Sequence, residues 1–264
     1  MLCAIPPPLV CRATICHHEP RNTATPDRMS TQDAFSNLPA DQSVTDALSQ
    51  AIHAHRIAPG TKLGEDELAE IFGVSRTIIR AALQALAHGQ LVEIRRNRGA
   101  FVAQPSPEEA REVFEARELV EPRTAHSAAL RATPADIRRL RAHMADEHAA
   151  LAAGDRGQAL ALSGQLHVEI ARIAAQKTIA SFVETLIARS SLVVALYWRR
   201  ESALCESNAH DALVQALEDR DAPRAEALMR SHLVDLHSAL DLRQTAPTAL
   251  SLKEILREGP PLPR

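Results

Sequence analysis

Two arginines four residues apart, Arg76 and Arg80, stand at the start of the run SRTIIRAALQALAHGQ (75–90). Four residues advance about 40° around a helix, so both guanidiniums share one face. Ile79, Leu83 and Leu86 lie on another face, spaced as a core-facing stripe. A guanidinium pairs bidentately with a guanine edge or a phosphate, so a helix anchored on one side and cationic on the other suits DNA. Arg95, Arg96 and Arg98 follow, and from Arg76 to Arg98 five arginines face Glu93 alone in a chain of net charge −3. That local excess is an electrostatic footprint which the bulk charge hides. Taken singly, each arginine is explained by a solvated face; their order along the chain favours DNA. Other chemistry is sparse. Cys11, Cys16, His17 and His18 lie close together, but in no zinc-binding spacing. No HExxH motif occurs.

The elements needed to hold those arginines are legible around them. VTDALSQAIHAHRI (44–57) predicts an amphipathic helix, APGTKL (58–63) a turn, and EDELAEIFG (65–73) a short helix stopped by Gly73. Ser75 is placed to cap the next helix. Two helices joined by a glycine turn, the second with a basic start, form a helix-turn-helix. LVEIRRNRGAFVA (91–103) then alternates with period two around Asn97–Gly99, predicting a β-hairpin. Beyond QPSP the pattern is helical to about residue 242, with six long helices. Ser106-Pro107-Glu108-Glu109 reads as a capping box, and Thr133-Pro134-Ala135-Asp136 repeats the cap-then-proline arrangement.

The chain of 264 residues is 45% hydrophobic and only 3% aromatic, led by alanine and leucine. This favours a mainly helical protein of two folded domains. The expected layout is a disordered extension over 1–40, a winged helix-turn-helix over 41–104, an all-helical bundle over 105–243, and a proline-flanked tail over 244–264 with one apolar turn at LKEIL. Met29 is an alternative start. Three of the four cysteines lie in the first sixteen residues, so no disulfide framework is expected and a reducing cytoplasm fits. No apolar run is expected to approach the roughly 20 residues of a membrane span. MLCAIPPPLVC is too short and proline-broken for a signal segment.

The block from Pro59 to Val102, with LAxxxGVSRTxxRxAL at its centre, resembles the winged helix-turn-helix of the GntR family of bacterial transcription regulators. The resemblance implies that Arg76, Thr77 and Arg80 contact DNA from the recognition helix, and Arg98 and Gly99 from the wing. Ile78 and Ala81 depart from the proline and glutamate of many members. Asp66 stands where some carry a DNA-contacting basic residue, so that contact is not carried over.

VFEARELVEP, LHVEIARIAAQK and HDALVQALEDRDAPRAEALMRSHL resemble the all-helical effector domain, FCD, of the FadR subfamily. The resemblance implies a metal in the bundle core, held by an Asp-x-x-x-His pair and two later histidines, which helps to hold a small carboxylate. The matching positions are Ser163, His167, His210 and His232. Ser163 replaces the aspartate and is the poorer ligand; three imidazoles still suit a divalent metal such as zinc, with open positions. Cys205 is an alternative thiolate ligand. Arg117 either faces the pocket and pairs with an anionic effector, or makes an i, i+4 surface pair with Glu121. Arg199 and Arg200 are weaker candidates for a pocket mouth. His143, His148 and His237 read as ordinary core or surface residues.

The function expected is a cytoplasmic, effector-controlled transcription regulator, with repression the family's commoner mode. Its partners would be a double-stranded DNA operator, a small-molecule effector and a second copy of the chain, since one head offers few base contacts. Two other readings are a metalloenzyme built on the three histidines, which leaves the DNA-reading block unexplained, and a DNA-binding protein whose helical half only dimerises.

Overall fold

Residues 40–198 and 207–243 are described in a computed structural model. The N-terminal extension, the C-terminal tail, Met29, Arg199, Arg200 and Cys205 lie outside them. The head runs α1 (Ala40–His53), β1 (Lys62–Leu63), α2 (Glu65–Phe72), α3 (Arg76–His88), β2 (Val92–Arg95) and β3 (Gly99–Val102). Gly73 ends α2 in the left-handed conformation at φ 65, and Ser75 Oγ accepts the Ile78 N–H to begin α3. Left-handed backbone is cheap only for glycine, so this residue sets the turn between the two helices.

The predicted hairpin is present, with Val92 opposite Val102 and Arg95 opposite Gly99. A third strand joins it. Lys62 and Leu63, read from sequence as part of a turn, pair antiparallel with Phe101 and Ala100, giving the order β1-β3-β2. Two residues are too few for alternation to show; their strand character comes from the partner. The first helix ends four residues earlier than predicted. His55 takes φ 54, and the Arg56 and Ile57 N–H groups both turn back to the Ala51 carbonyl. Ile57 is still fully buried in the head, brought there by the turn.

The bundle is α4 (Pro107–Arg131), α5 (Pro134–Ala152), α6 (Arg156–Ile173), α7 (Lys177–Tyr197), α8 (Ser207–Glu218) and α9 (Ala222–Ser238). The predicted capping box of Ser106 with Glu109 forms, and the cap-then-proline start at Thr133 proves to be a second box, with Asp136. Each satisfies two helix-end N–H groups that would otherwise lack partners. The core is rich in alanine, including Ala125, Ala128 and Ala129 of α4, packed with Leu140, Leu166 and Leu233. Small side chains let these helix axes approach closely.

α7 corrects the expectation that no apolar run nears a membrane span. Its 21 residues are long and apolar enough by length and composition. One face of the helix is used inside the protein, while Phe182 of the same helix is exposed. Val183, Ile187, Val193, Leu196 and Tyr197 are buried in the bundle, and Leu192 enters the core of the head beside Leu48, Ile79 and Val102. Arg189 pairs with Glu109 at 2.9 Å and Gln90 at 2.8 Å. α7 is thus the wall shared by head and bundle.

Candidate functional site

The face expected from sequence to read DNA is built by α3. Ile79, Ala82, Leu83 and Leu86 are buried, while Arg76, Thr77 and Arg80 are exposed on the other side. The arginines have partners in α2. Glu65 lies 2.8 Å from Arg80 Nε and 3.4 Å from Arg76 Nη2, and Asp66 lies 3.1 Å from Arg76 Nη1. The Arg80 hydrogen bond, foremost, holds the Glu65 carboxyl below its ordinary range. All these groups face water, so the pairs orient the guanidiniums more than they stabilise the fold. At the wing, Gly99 (φ 96) and Arg98 are exposed. Arg95 pairs with Glu93 at 2.9 Å and covers the Phe101 ring at 4.7 Å.

In the bundle, His167 of α6, His210 of α8 and His232 of α9 meet in the core at 2%, 3% and 4% exposure. One nitrogen from each lies within 4.8 Å of the others. His210 Nε2 and His232 Nε2 are 3.1 Å apart. Two imidazole nitrogens on one zinc ion, each about 2.0–2.1 Å from it, are separated by roughly 2.9–3.4 Å. Carboxylates sit behind two of the rings. Glu121 of α4 accepts from His167 Nδ1, and Glu147 of α5 accepts from His210 Nδ1 at 3.1 Å. With Nδ1 protonated, Nε2 of each neutral ring presents a bare lone pair, as in carboxylate–histidine–metal arrangements. His167 Nε2 is buried without a hydrogen-bond partner, an uncompensated cost that a cation would remove.

Electrostatics favour the neutral form of His167 and His232. Burial pushes His167 down from 6.5 against the pull of Glu121, and burial with the neighbouring rings pushes His232 well down. Burial opposes the charge of Glu121 as well, but Arg117 and His167 outweigh it and hold its carboxyl at about 2. The Arg117–Glu121 pair expected on the surface is made, but in the core, where the two residues are 3% and 1% exposed. Arg117 Nη1 also donates to Ser190 Oγ of α7 at 3.1 Å.

Arg117, Ser163 and His167 line one cavity of ≈ 50 Å³. Its other walls include Ile187, Ser190 and Ser191 of α7, and His53 and His55 of the head. The three-histidine group and this cavity share His167.

Residues 40–102 match the bacterial regulatory proteins of the gntR family, and residues 112–235 match the FCD domain. The chain belongs to the GntR family. The pairing of GntR head and FCD domain fits the FadR-like subfamily. LutR of Bacillus subtilis, an HTH-type transcriptional regulator, is 27% identical to this GntR protein over 206 residues, covering 70% of this chain and 93% of LutR. The HTH-type transcriptional repressor RspR of Escherichia coli is 27% identical over 208 residues, covering 78% and 91%. The solved structure of E. coli McbR/YncC shares the fold, with a TM-score of 0.68 at 18% identity over 76% of this chain and 96% of its own.

For this GntR regulator, the residues singled out from sequence gather in two places: Arg76, Thr77, Arg80, Arg98 and Gly99 on the head, and Arg117, Ser163, His167, His210 and His232 in or beside the bundle core. His143, His148 and His237 are engaged elsewhere, with the Leu162 carbonyl, Asp211 and Glu118. The reading from sequence missed Glu147, and missed Glu121 as a partner of His167. A signal for Glu147 existed: with Ile137, Leu140 and Met144 it continues the buried stripe of α5. A carboxylate in an apolar stripe implies a buried partner. It also missed His53 and His55, for which no local signal exists.

Proposed function

We propose that this GntR-family regulator is a repressor that binds a palindromic operator as a homodimer, and that a small anionic metabolite, held beside a divalent metal in the FCD domain, controls it. Arg76, Thr77 and Arg80 read bases, and Arg98 and Gly99 contact the backbone from the wing. His167, His210 and His232 hold the metal, with zinc the fitting ion for three imidazoles. The observation that carries the reading is the convergence of three buried imidazole nitrogens, two of them backed by carboxylates. A bound divalent ion would supply positive charge there. Arg117 adds one positive charge, and Glu121 and Glu147 remove one each, so the filled site keeps a net positive charge and attracts an anion. Ser163, one turn before His167, offers a hydroxyl to ligand or bound water. The protein works in the cytoplasm, where its operator is.

Elemental analysis and native mass spectrometry of the purified chain test the reading. One zinc per chain and a co-purified anion are expected. Duplexes selected from a random pool should be palindromic and should be released when that anion is added. A chain that selects no duplex, or that releases none with any bound small molecule, would overturn it.

A further inference from the structure

The cavity beside the histidine cluster is not lined by the bundle alone. Its floor is Arg117, Ser163 and His167. Its roof is the turn that ends α1, with His53 and His55 facing it. Two contacts seat that turn. His55 Nε2 donates to the Ser191 carbonyl at 3.1 Å, and Ser191 adjoins Ser190, which holds Arg117. Gly157, in the first turn of α6, lies so close to the turn that a Cβ there would stand 2.1 Å from the Ala54 carbonyl oxygen. No side chain fits that gap without displacing backbone. Leu192, next to Ser191, is fully buried in the core of the head.

The size of the cavity gives these contacts a consequence. At ≈ 50 Å³ it has room for about three to five waters, far below the roughly 300 Å³ at which small-molecule pockets begin. The cavity opens to solvent on one side, so an organic ligand seated against Arg117 and His167 either projects through that mouth or displaces a lining element. The wall that is a short turn, and not a long helix, belongs to the DNA-binding head.

We infer that the effector site is shared between the two domains: the α1 turn at His53–His55 is its roof, and a metabolite larger than the cavity acts as a wedge that unseats the head from α6 and α7. This inference rests on the proposed function, which places the effector in this cavity. A ligand that binds only with the roof lifted shifts the population towards lifted heads, and DNA that prefers seated heads opposes the ligand by the same factor.

Gly157→Ala places a wedge in the seam without any ligand. In the full chain it should speed amide hydrogen exchange over residues 50–58. It should weaken binding to duplexes selected by the wild type at least ten-fold, while the melting shift produced by zinc alone stays that of the wild type. His55→Ala, which leaves the α6 backbone untouched, should change exchange and DNA binding in the same direction and decides the matter if Gly157→Ala fails to fold. Unchanged exchange over 50–58 in the folded variant would show that the turn is not seated. Faster exchange with unchanged or tighter DNA binding would show that seating is not read by the head; either result overturns the inference. If zinc shifts no melting temperature but the variants still weaken DNA binding, the metal reading fails and the shared roof stands.

Discussion

Glu147 accepts a hydrogen bond from His210 Nδ1 at 3.1 Å, joining α5 to α8 across 63 residues of sequence. The bond fixes the ring so that Nε2 faces His232. Removing the charge while keeping the shape should loosen that orientation. Glu147→Gln is expected to lower zinc affinity about 10–100-fold, measured by competition with a chelating dye. Unaltered affinity would mean that Glu147 does not orient the ligand.

Zinc should stabilise the chain by mass action, roughly 2.7 kcal/mol at a free concentration 100 times its Kd. Thermal melting with zinc and with chelator measures this. His232→Ala should abolish the shift. Ser163→Asp should enlarge it, because an anionic ligand would return one turn before His167. Identical melting curves with and without zinc in wild type and Ser163→Asp would remove the metal from the account.

The recognition arginines predict separable effects on DNA. Arg76→Ala and Arg80→Ala should each weaken binding to the selected duplex about ten- to a hundred-fold and relax its base preference. Arg98→Ala should weaken all sequences alike and reduce the slope of log affinity against log salt by about one. Glu65→Gln should tighten binding to random duplex, since Arg76 and Arg80 no longer exchange an intramolecular anion for DNA. Fluorescence anisotropy across a salt series separates the three.

His53 carries a pH dependence. Burial, and then His55, pushes its pKa down from 6.5 to about 4. The unfolded chain therefore binds the extra proton between those values and the folded chain does not, so stability falls as pH falls. The contribution is complete above about 6.5 and declines towards 4. Melting temperatures from pH 7.5 to 4.5 should drop, and His53→Gln should flatten part of the drop. A profile that His53→Gln leaves unchanged would assign the dependence to other groups.

Leu192 ties the two halves energetically. Leu192→Ala should cost about 2–5 kcal/mol, as for a fully buried leucine, and the loss should appear in denaturant unfolding of head and bundle together. Separate transitions, with only one displaced, would show that α7 does not couple them.

Much of this molecule was legible because its signals are local. Ser75, Gly73, the Ser106–Glu109 box and the Thr133–Asp136 box act within a few residues of themselves, and the stripe Ile79–Leu83–Leu86 states which side of α3 is anchored. Those features, with the alternation around Asn97–Gly99, made the helix-turn-helix, the hairpin and the helical run legible without reference to any long-range contact. The exposed arginines follow directly, because a side chain opposite an anchored face has only solvent or a ligand to meet. The histidine cluster is different in kind. His167, His210 and His232 stand on three helices, and periodicity says nothing about which rings meet; the resemblance to FCD domains supplied the set, and packing brought it together. Glu121 as a ring partner, Glu147 behind His210, the two-residue strand β1 and the roof of His53 and His55 belong wholly to the tertiary structure. Each depends on a group distant along the chain, and such encounters are fixed only when the helices have docked.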